Sequence, residues 1–408
     1  MAEIDTVALG ARAEAMIGEL AAISAEPNLL VRLFLTPEHR RAADLVARWM
    51  HEAGLAVSED ALGTVRGRLG EGPRLLIGSH IDTVIDAGKY DGPLGVIAGI
   101  LAAAHFKGHA PVPIDVLAFG DEEGSRFPAA MTSSAACAGL FDRASLAMRD
   151  REGISLEQAL RSYGKDPAAI SEAAYAKGGV LAYVEVHIEQ GPRLETAGQP
   201  LGVVTGIVGQ NRSQIGVTGE AGHAGTVPMD LRRDALAGAA EIVLAVERIA
   251  QKNEPSGMVG TVGRLDVHPG AANIIPGEVR LTVDLRAMDD KARADAYASI
   301  EREAKSIAQR RRLAVAFEIL HDEPAVACDA GLQQRLADII ASFGGRAPHL
   351  PSGAGHDARK MARLCPSAMM FVRCRKGISH NPAEYCAPED MGLAIAAFIR
   401  FTDNFARS

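Results

Sequence analysis

The sequence is poor in cysteine and aromatic residues and lacks a long hydrophobic run. Its five cysteines are odd in number and scattered, with no Cys-x-x-Cys pair, which argues against a disulfide framework or a thiolate zinc site and favours a reducing cytoplasm. The longest apolar stretch, about fifteen residues from Gly92 to Phe106, is shorter than the roughly 20 residues of a membrane span. The N-terminus resembles an amphipathic helix containing acids, not a signal peptide. We therefore predict a soluble, cytoplasmic protein that does not act on membranes.

Basic residues are also too few and too dispersed for nucleic acid to be the main partner. There are 43 Lys and Arg against 51 Asp and Glu, for a formal charge of −8, whereas phosphate binding needs clustered basic side chains. A length of 408 residues exceeds what one hydrophobic core normally holds. The sequence thus predicts two domains and a small-molecule partner.

Helix and strand patterns alternate in the first half of the chain. Helices are predicted at 7–22, 38–54 and 93–106, and apolar strands at 74–79, 113–119 and 181–188. Strands separated by helices indicate a sheet covered on both faces. This pattern predicts an α/β domain whose first part spans residues 1–209.

The middle of the chain has a different order of elements. Strands near 212–218, 257–267, 277–286 and 312–320 are interrupted by helices at 230–252 and 290–310. The order β-α-β-β-α-β is the split, ferredoxin-like unit. We therefore predict an α+β domain at 210–324, inserted into the α/β domain, which resumes at 325–408 with helices at 330–343 and 388–402 and a strand at 368–372.

Histidines and carboxylates follow the predicted strands of the α/β domain. The segments, written with their first residue, are Gly78-SHIDTV, Lys89-YDGPLG, Phe119-GDEEGSRF and Val186-HIEQG, with a further one, Gly377-ISHNPAEY, near the C-terminus. A lone histidine is more often structural, and an acid pair more often lies on a solvated surface. No single segment therefore establishes a metal site. Imidazoles and carboxylates without thiolates suit zinc or a similar divalent ion in a catalytic site.

Eight motifs together resemble the signature set of one enzyme family. They occur in order between about residues 75 and 390 and look like those of the di-zinc allantoate amidohydrolases and N-carbamoyl-L-amino-acid hydrolases, the amidase branch of the aminoacylase/carboxypeptidase-like metallohydrolases. The resemblance implies a zinc-peptidase-like catalytic domain and an inserted lid and dimerisation domain, hence a homodimer. The motifs are GSHIDTV, DGPLGV, DEEGSRF, HIEQGP, GHAGTVPM, AANIIPG, SGAGHDA and GISHNPAEY.

The resemblance also implies two divalent metal ions per subunit, with zinc the first expectation and manganese, cobalt or nickel as alternatives. One ion would be bound by His80, Asp91 and His187. The other would be bound by Asp91, Glu123 and His380, with the Asp91 carboxylate bridging the pair.

Three further roles follow from the same resemblance. Asp82 would support the His80 imidazole from behind, as metal-bound histidines usually require. Glu122 would be the general base, moving a proton from a dimetal-bound water to the leaving nitrogen. His223 would stabilise the developing oxyanion in the active site of a partner subunit; a structural turn histidine is the alternative.

Four residues are expected to bind the substrate. The resemblance implies that Asn273 and Arg286 bind its carboxylate, since the planar guanidinium matches a carboxylate in a bidentate pair. Gln210 would bind the amide or ureido group, and Gly353 would offer backbone groups. The alternative for Arg286 is a surface ion pair.

The sequence therefore predicts an enzyme that hydrolyses the ureido or carbamoyl C–N bond of a small carboxylate. The sequence does not separate an N-carbamoyl-L-amino acid from allantoate, because one carboxylate clamp serves both, and we favour the former. The stretch 131–137, which departs from the family pattern, bears on the identity of the substrate rather than on the metal chemistry. An aminoacylase or dipeptidase is the alternative within enzymes. A noncatalytic binding module on the same scaffold is the alternative from another class.

Overall fold

The computed structural model describes residues 4–405. The chain forms two compact units. The first contains the chain up to Gly206 and from Ala327 onward, and the second is Ile207–Val326.

The helices of the described chain, numbered in order, are α1 (Thr6–Ala21), α2 (Pro37–Glu52), α3 (Pro93–His105), α4 (Thr132–Cys137), α5 (Leu156–Ser162), α6 (Arg193–Thr196), α7 (Ala235–Lys252), α8 (Asp290–Arg311), α9 (Ala330–Ala341), α10 (Ala358–Met361) and α11 (Pro388–Phe405). The strands are β1 (Ala56–Glu59), β2 (Val65–Leu69), β3 (Arg74–His80), β4 (Ile114–Phe119), β5 (Val180–Ile188), β6 (Leu201–Ile207), β7 (Gly209–Thr218), β8 (Gly222–His223), β9 (Val259–Thr261), β10 (Leu265–His268), β11 (Ile274–Ile275), β12 (Glu278–Ala287), β13 (Ala314–Glu323), β14 (Val326–Ala327), β15 (His349–Ser352) and β16 (Ser367–Val372).

The first unit is built on a nine-stranded mixed sheet. Its order is β1-β2-β4-β3-β5-β16-β6-β14, with β15 also paired to β6. β3 runs parallel to β4 and β5, and β16 runs parallel to β5. Every residue of β3, β4 and β16 is buried, as expected of strands covered by helices on both faces. The α/β prediction for this part of the chain is confirmed.

The second unit has a five-stranded antiparallel sheet. Four strands lie in the order β10-β12-β7-β13, and β9 also pairs with β12. α7 and α8 supply much of the apolar core against it. Two helices and an antiparallel sheet make this an α+β unit, as predicted, but β9 and β10 stand where the β-α-β-β-α-β order has a single strand.

Some predicted boundaries were wrong. The helix predicted at 230–252 begins at Ala235, because the Asp234 carboxylate caps its first turn by accepting hydrogen bonds from the backbone N–H groups of Leu236 and Ala237. The strand predicted at 257–267 is two short strands, β9 and β10. Strands β1 and β2 were missed, because their short, charge-bearing sequences carry little hydrophobic signal.

The terminal helices α1 and α11 pack at very close range through two glycines. A Cβ built on Gly10 would lie 2.0 Å from the carbonyl oxygen of Pro388, and one on Gly392 would lie 1.9 Å from that of Thr6. No side chain larger than hydrogen fits at these positions unless the helices separate.

Replacing Gly10 by valine is therefore expected to lower the free energy of unfolding by about 2 kcal/mol or more, since overpacking a rigid contact forces the backbone to move. Urea unfolding followed by circular dichroism would measure the change. The matched control is Gly18→Val on the same helix, where a Cβ meets nothing within 4 Å. Equal effects at Gly10 and Gly18 would contradict the close contact.

No helix within residues 4–405 combines the length and the hydrophobicity that crossing a bilayer would require.

Candidate dimetal active site

Three segments with ligand side chains meet at one edge of the sheet in the first unit. β3 ends at His80, β4 ends at Phe119 just before Glu122 and Glu123, and β5 carries His187 next to its last residue. Because β3 is parallel to both neighbours, the carboxyl ends of the three strands share one edge, where α/β folds place their active sites.

Asp91 reaches this edge from the loop between β3 and α3. The next residue, Gly92, has a φ of 86°, and a Cβ built on it would lie 2.5 Å from ring atoms of His80. Only glycine permits both the left-handed turn and this approach. The turn therefore brings the backbone of Gly92, the residue after Asp91, close to the His80 imidazole.

The Asp91 carboxylate lies at the centre of the site. Its Oδ1 is 3.0 Å from Nε2 of His187 and 3.8 Å from Nε2 of His80, and its Oδ2 is 3.3 Å from Nε2 of His380. The same His380 nitrogen is 3.5 Å from Oε1 of Glu123. The structure thus brings the five residues predicted as ligands into two groups that share Asp91.

The donor atoms of this site fit bound cations. Nδ1 of His187 donates to the backbone oxygen of Ile188 at 3.0 Å, and Nδ1 of His80 lies 3.2 Å from that of Asp82. A neutral imidazole at either position therefore carries its ring proton on Nδ1 and directs its Nε2 lone pair toward Asp91. The buried Nε2 of His187 has no hydrogen-bond partner among the described residues. A lone pair directed at a carboxylate is repelled unless a cation lies between them.

The crowding of the carboxylates also indicates that the site fits bound cations. Burial, with repulsion from Glu123, raises the pKa of Glu122 well above its usual range, although His80 opposes this. Burial and repulsion from Asp91 raise the pKa of Glu123 to about 7. Burial would also raise the pKa of Asp91, but the close approach of the His187 and His380 imidazoles holds it well below the usual range. A divalent cation would relieve this repulsion.

Asp82 supports two parts of the site at once. Its Oδ1 is 3.3 Å from Nδ1 of His80 and accepts a hydrogen bond from the backbone N–H of Glu122 at 3.1 Å. Its Oδ2 accepts from the N–H of Glu123 at 3.2 Å. The contact to His80 was predicted from sequence. The hold on the acid pair was not, because it joins two segments 40 residues apart.

His380 is the most exposed of the five, with 49% of its side chain accessible. Its backbone has a φ of 53°, in the left-handed region that few non-glycine residues adopt. The loop that carries it is closed at its base by an antiparallel bridge between Cys374 and Cys386. This candidate ligand thus lies on a constrained loop rather than on a helix or strand.

In the second unit, two predicted substrate residues lie side by side. Gln210 on β7 is paired in register with Arg286 on β12. Both bind Asp284: Nε2 of Gln210 is 2.8 Å from Oδ2, and Nε of Arg286 is 2.9 Å from Oδ1. The surface ion pair kept as the alternative for Arg286 is therefore present.

The other two candidates of this unit, His223 and Asn273, are also neighbours. His223 ends β8, which pairs with β11, and the N–H of Ala224 donates to the backbone oxygen of Asn273 at 3.0 Å. Nδ1 of His223 accepts from the N–H of Gly225 at 3.0 Å, so the ring proton of the neutral imidazole lies on Nε2. Both side chains are exposed, which leaves this N–H available as a donor.

The loop that contains Gly353 lies beside Glu122. A Cβ built on Gly355 in this loop would lie 3.5 Å from Oε1 of Glu122 and 2.7 Å from Cε of Met131. Met131 has a φ of 58°. The segment that departs from the family pattern therefore contacts the loop next to the general-base candidate.

Sequence reasoning missed several polar residues around the ligands. Gln190, Ser379 and Glu384 form hydrogen bonds with Asp91, and the buried Arg32 donates to the backbone oxygen of Ile81, next to His80, at 2.6 Å. The first three stand inside the motifs HIEQGP and GISHNPAEY, which was the available signal. Their partners could not be assigned without the fold.

Comparison with known proteins now identifies the family. The peptidase family M20/M25/M40 matches residues 76–404. The chain belongs to this family. It is 43% identical to an N-carbamoyl-L-amino acid amidohydrolase of Geobacillus stearothermophilus, covering 92% of this chain and 93% of that protein. It is 41% identical to an allantoate deiminase of Arabidopsis thaliana, covering 96% of this chain and 82% of that protein.

A solved structure has a similar fold. The amidase of the hydantoinase/carbamoylase family from Burkholderia multivorans superposes with a TM-score of 0.91 at 35% identity, covering 98% of both chains. The resemblance stated from the motifs is confirmed. So is the prediction of a hydrolase acting on carbon–nitrogen bonds other than peptide bonds. The role of each site residue stays a prediction.

Proposed function

We propose that this protein hydrolyses the C–N bond of a carbamoyl or ureido group on a small carboxylate, with an N-carbamoyl-L-amino acid as the first expected substrate and allantoate as the second. The observation that carries the proposal is the convergence of two ligand groups on Asp91 with Glu122 beside them. The names of the two curated relatives support this substrate class.

In this proposal, His80, Asp91 and His187 hold one divalent cation. Asp91, Glu123 and His380 hold the other. When bound, such a pair polarises the scissile carbonyl and lowers the pKa of a water molecule. Nitrogen and oxygen donors suit zinc best, and manganese, cobalt or nickel would accept the same ligands.

Glu122 takes the proton-transfer role. Its carboxylate is buried, lies 4.0 Å from Nε2 of His80, and is held in place through its backbone by Asp82. A glutamate whose pKa lies above the usual range, toward the working pH, is a better base toward water and can still return the proton to a leaving nitrogen.

Arg286, Asn273 and Gln210 take the substrate-binding role, with backbone groups of Gly353. Arg286 already grips a carboxylate with two nitrogens, since Nε and Nη2 each lie 2.9 Å from an oxygen of Asp284. A substrate carboxylate would be bound by the same kind of fork.

The substrate class is tested by a panel assay. After chelation and metal add-back, we expect ammonia release from N-carbamoyl-L-amino acids or allantoate and none from the chelated protein. Acetate release from N-acetyl-L-amino acids at a higher kcat/KM would instead favour an aminoacylase. Tight substrate binding without any product would favour a noncatalytic module.

We further propose that the chain is a homodimer in which His223 serves the partner's site. Mixing His223→Ala with Glu122→Gln should then restore about a quarter of wild-type activity, because half of the dimers are mixed and one site in each is complete. Steady-state assay of subunits exchanged in mild denaturant measures this. Activity no greater than the sum of the activities of the two separate variants would contradict action across the dimer.

A cytoplasmic location also stays a prediction.

A further inference from the structure

A buried glutamate links the loop of Asp91 to the loop of His380. Oε1 of Glu384 accepts hydrogen bonds from the backbone N–H groups of Tyr90 at 2.8 Å and Asp91 at 3.2 Å. Its Oε2 lies 2.8 Å from Oγ of Ser379, the residue before His380. One carboxyl group therefore connects two segments that are 293 residues apart in sequence.

The link continues to one particular oxygen of Asp91. Oγ of Ser379 is 2.7 Å from Oδ2 of Asp91, and Nε2 of Gln190 is also 2.7 Å from it. Oδ2 is the oxygen that faces His380, whereas Oδ1 faces His187. The side-chain contacts of this network thus act on only one of the two cation positions.

The packing around Glu384 shows how closely its side chain is held. A Cβ built on Gly88 would lie 2.2 Å from the Glu384 carboxyl carbon, so glycine makes room for this side chain.

The backbone next to this network is in an uncommon conformation, since His380 and Gln190 both have φ values above 50°. Such backbone conformations persist only where surrounding contacts maintain them.

We propose that Glu384 is a positioning residue that forms the cation position of Asp91, Glu123 and His380 before any cation binds. It holds the backbone of Asp91 directly and orients Oδ2 through Ser379. The inference rests on the proposed function in taking this group as a cation site. Hydrogen-bond partners of metal ligands typically change metal affinity 10- to 100-fold when removed.

The test is zinc binding by the chelated chain, measured by competition with a chromophoric chelator and by calorimetry. For Glu384→Ala we expect the Kd of the position that contains His380 to rise about 10- to 100-fold, while the Kd of the other position changes little. His380→Ala identifies the affected position, since it should abolish the same binding event. Adding Glu384→Ala to His380→Ala should then have little further effect.

Glu384→Gln should bind zinc nearly as well as wild type. Its amide oxygen can accept from Tyr90 and Asp91, and its NH2 can donate to Ser379, whose hydrogen then goes to Asp91. A purely electrostatic role would make Glu384→Gln as weak as Glu384→Ala. Glu389→Ala, an exposed acid five residues further along the chain, should change nothing.

Should Glu384→Ala fail to fold, Ser379→Ala carries the test, because it removes only the hydroxyl in the link and should weaken the same position. If the wild-type chain binds two zinc ions and neither Ser379→Ala nor a folded Glu384→Ala changes either affinity, the inference about Glu384 is wrong. The proposed function would stand in that case. A wild-type chain that binds fewer than two zinc ions would instead overturn the proposed function.

Discussion

Glu122→Gln is expected to lower kcat about 10²- to 10⁴-fold, the usual contribution of a positioned general base. The amide preserves the shape of the side chain but cannot accept the proton. Because Glu122 belongs to neither of the two ligand groups that share Asp91, the variant should still bind two cations per chain. KM should change little, since the residue is not part of the carboxylate clamp.

Steady-state kinetics and metal analysis of the same preparation would measure both effects. Glu172→Gln is the matched control, because it makes the same chemical change at an exposed position and should leave kcat unchanged. Loss of bound metal in Glu122→Gln would reassign the residue as a ligand. An unchanged kcat would remove it from the mechanism.

Asp91→Ala is expected to have the larger effect, lowering kcat on the order of 10⁴-fold or more, because removing the cations forfeits several kcal/mol of transition-state stabilisation. Its two oxygens face different ligand groups, one with His187 and one with His380. Both cation positions should therefore be lost together. A variant of a residue that belongs to only one ligand group, such as His380→Ala, should lose only one cation position.

Metal content per folded chain, measured by plasma mass spectrometry after gel filtration, checks this prediction. Asp44→Ala is the control, since that aspartate is 66% exposed and makes only a surface ion pair with Arg40. An Asp91→Ala protein that retained one tightly bound cation would show that the carboxylate does not join the two groups.

The candidate ligands could be named from the sequence because the motifs that contain them resemble those of one family, and His80, Glu123 and His187 also lie at or just after apolar strands. His80 ends a wholly buried strand, and Glu122 and Glu123 follow another. Parallel strands bring such positions to one edge whatever the details of the loops. Strand direction therefore explains why these segments meet, whereas the role assigned to each side chain comes from the family resemblance.

The supporting residues could not be predicted in the same way. Asp82 was expected beside His80, but its hold on the acid pair depends on the pairing of β3 with β4. The contact of Glu384 with Asp91 spans 293 residues, and nothing in the local sequence indicates it. Arg32 is a buried cation whose partners are backbone oxygens, which no side-chain pattern reveals.

The fold shows the same division. Long amphipathic or apolar elements such as α1, α3 and β3 were predicted close to their observed bounds. Short elements with mixed polarity, such as β1 and β2, were not, because their pairing partners rather than their own sequences determine them.

Anomalous diffraction from crystals grown with excess zinc tests the central claim most directly. The account predicts two peaks per chain. One should contact His80, Asp91 and His187, and the other should contact Asp91, Glu123 and His380. A single peak, or two peaks that do not share the Asp91 carboxylate, would contradict it.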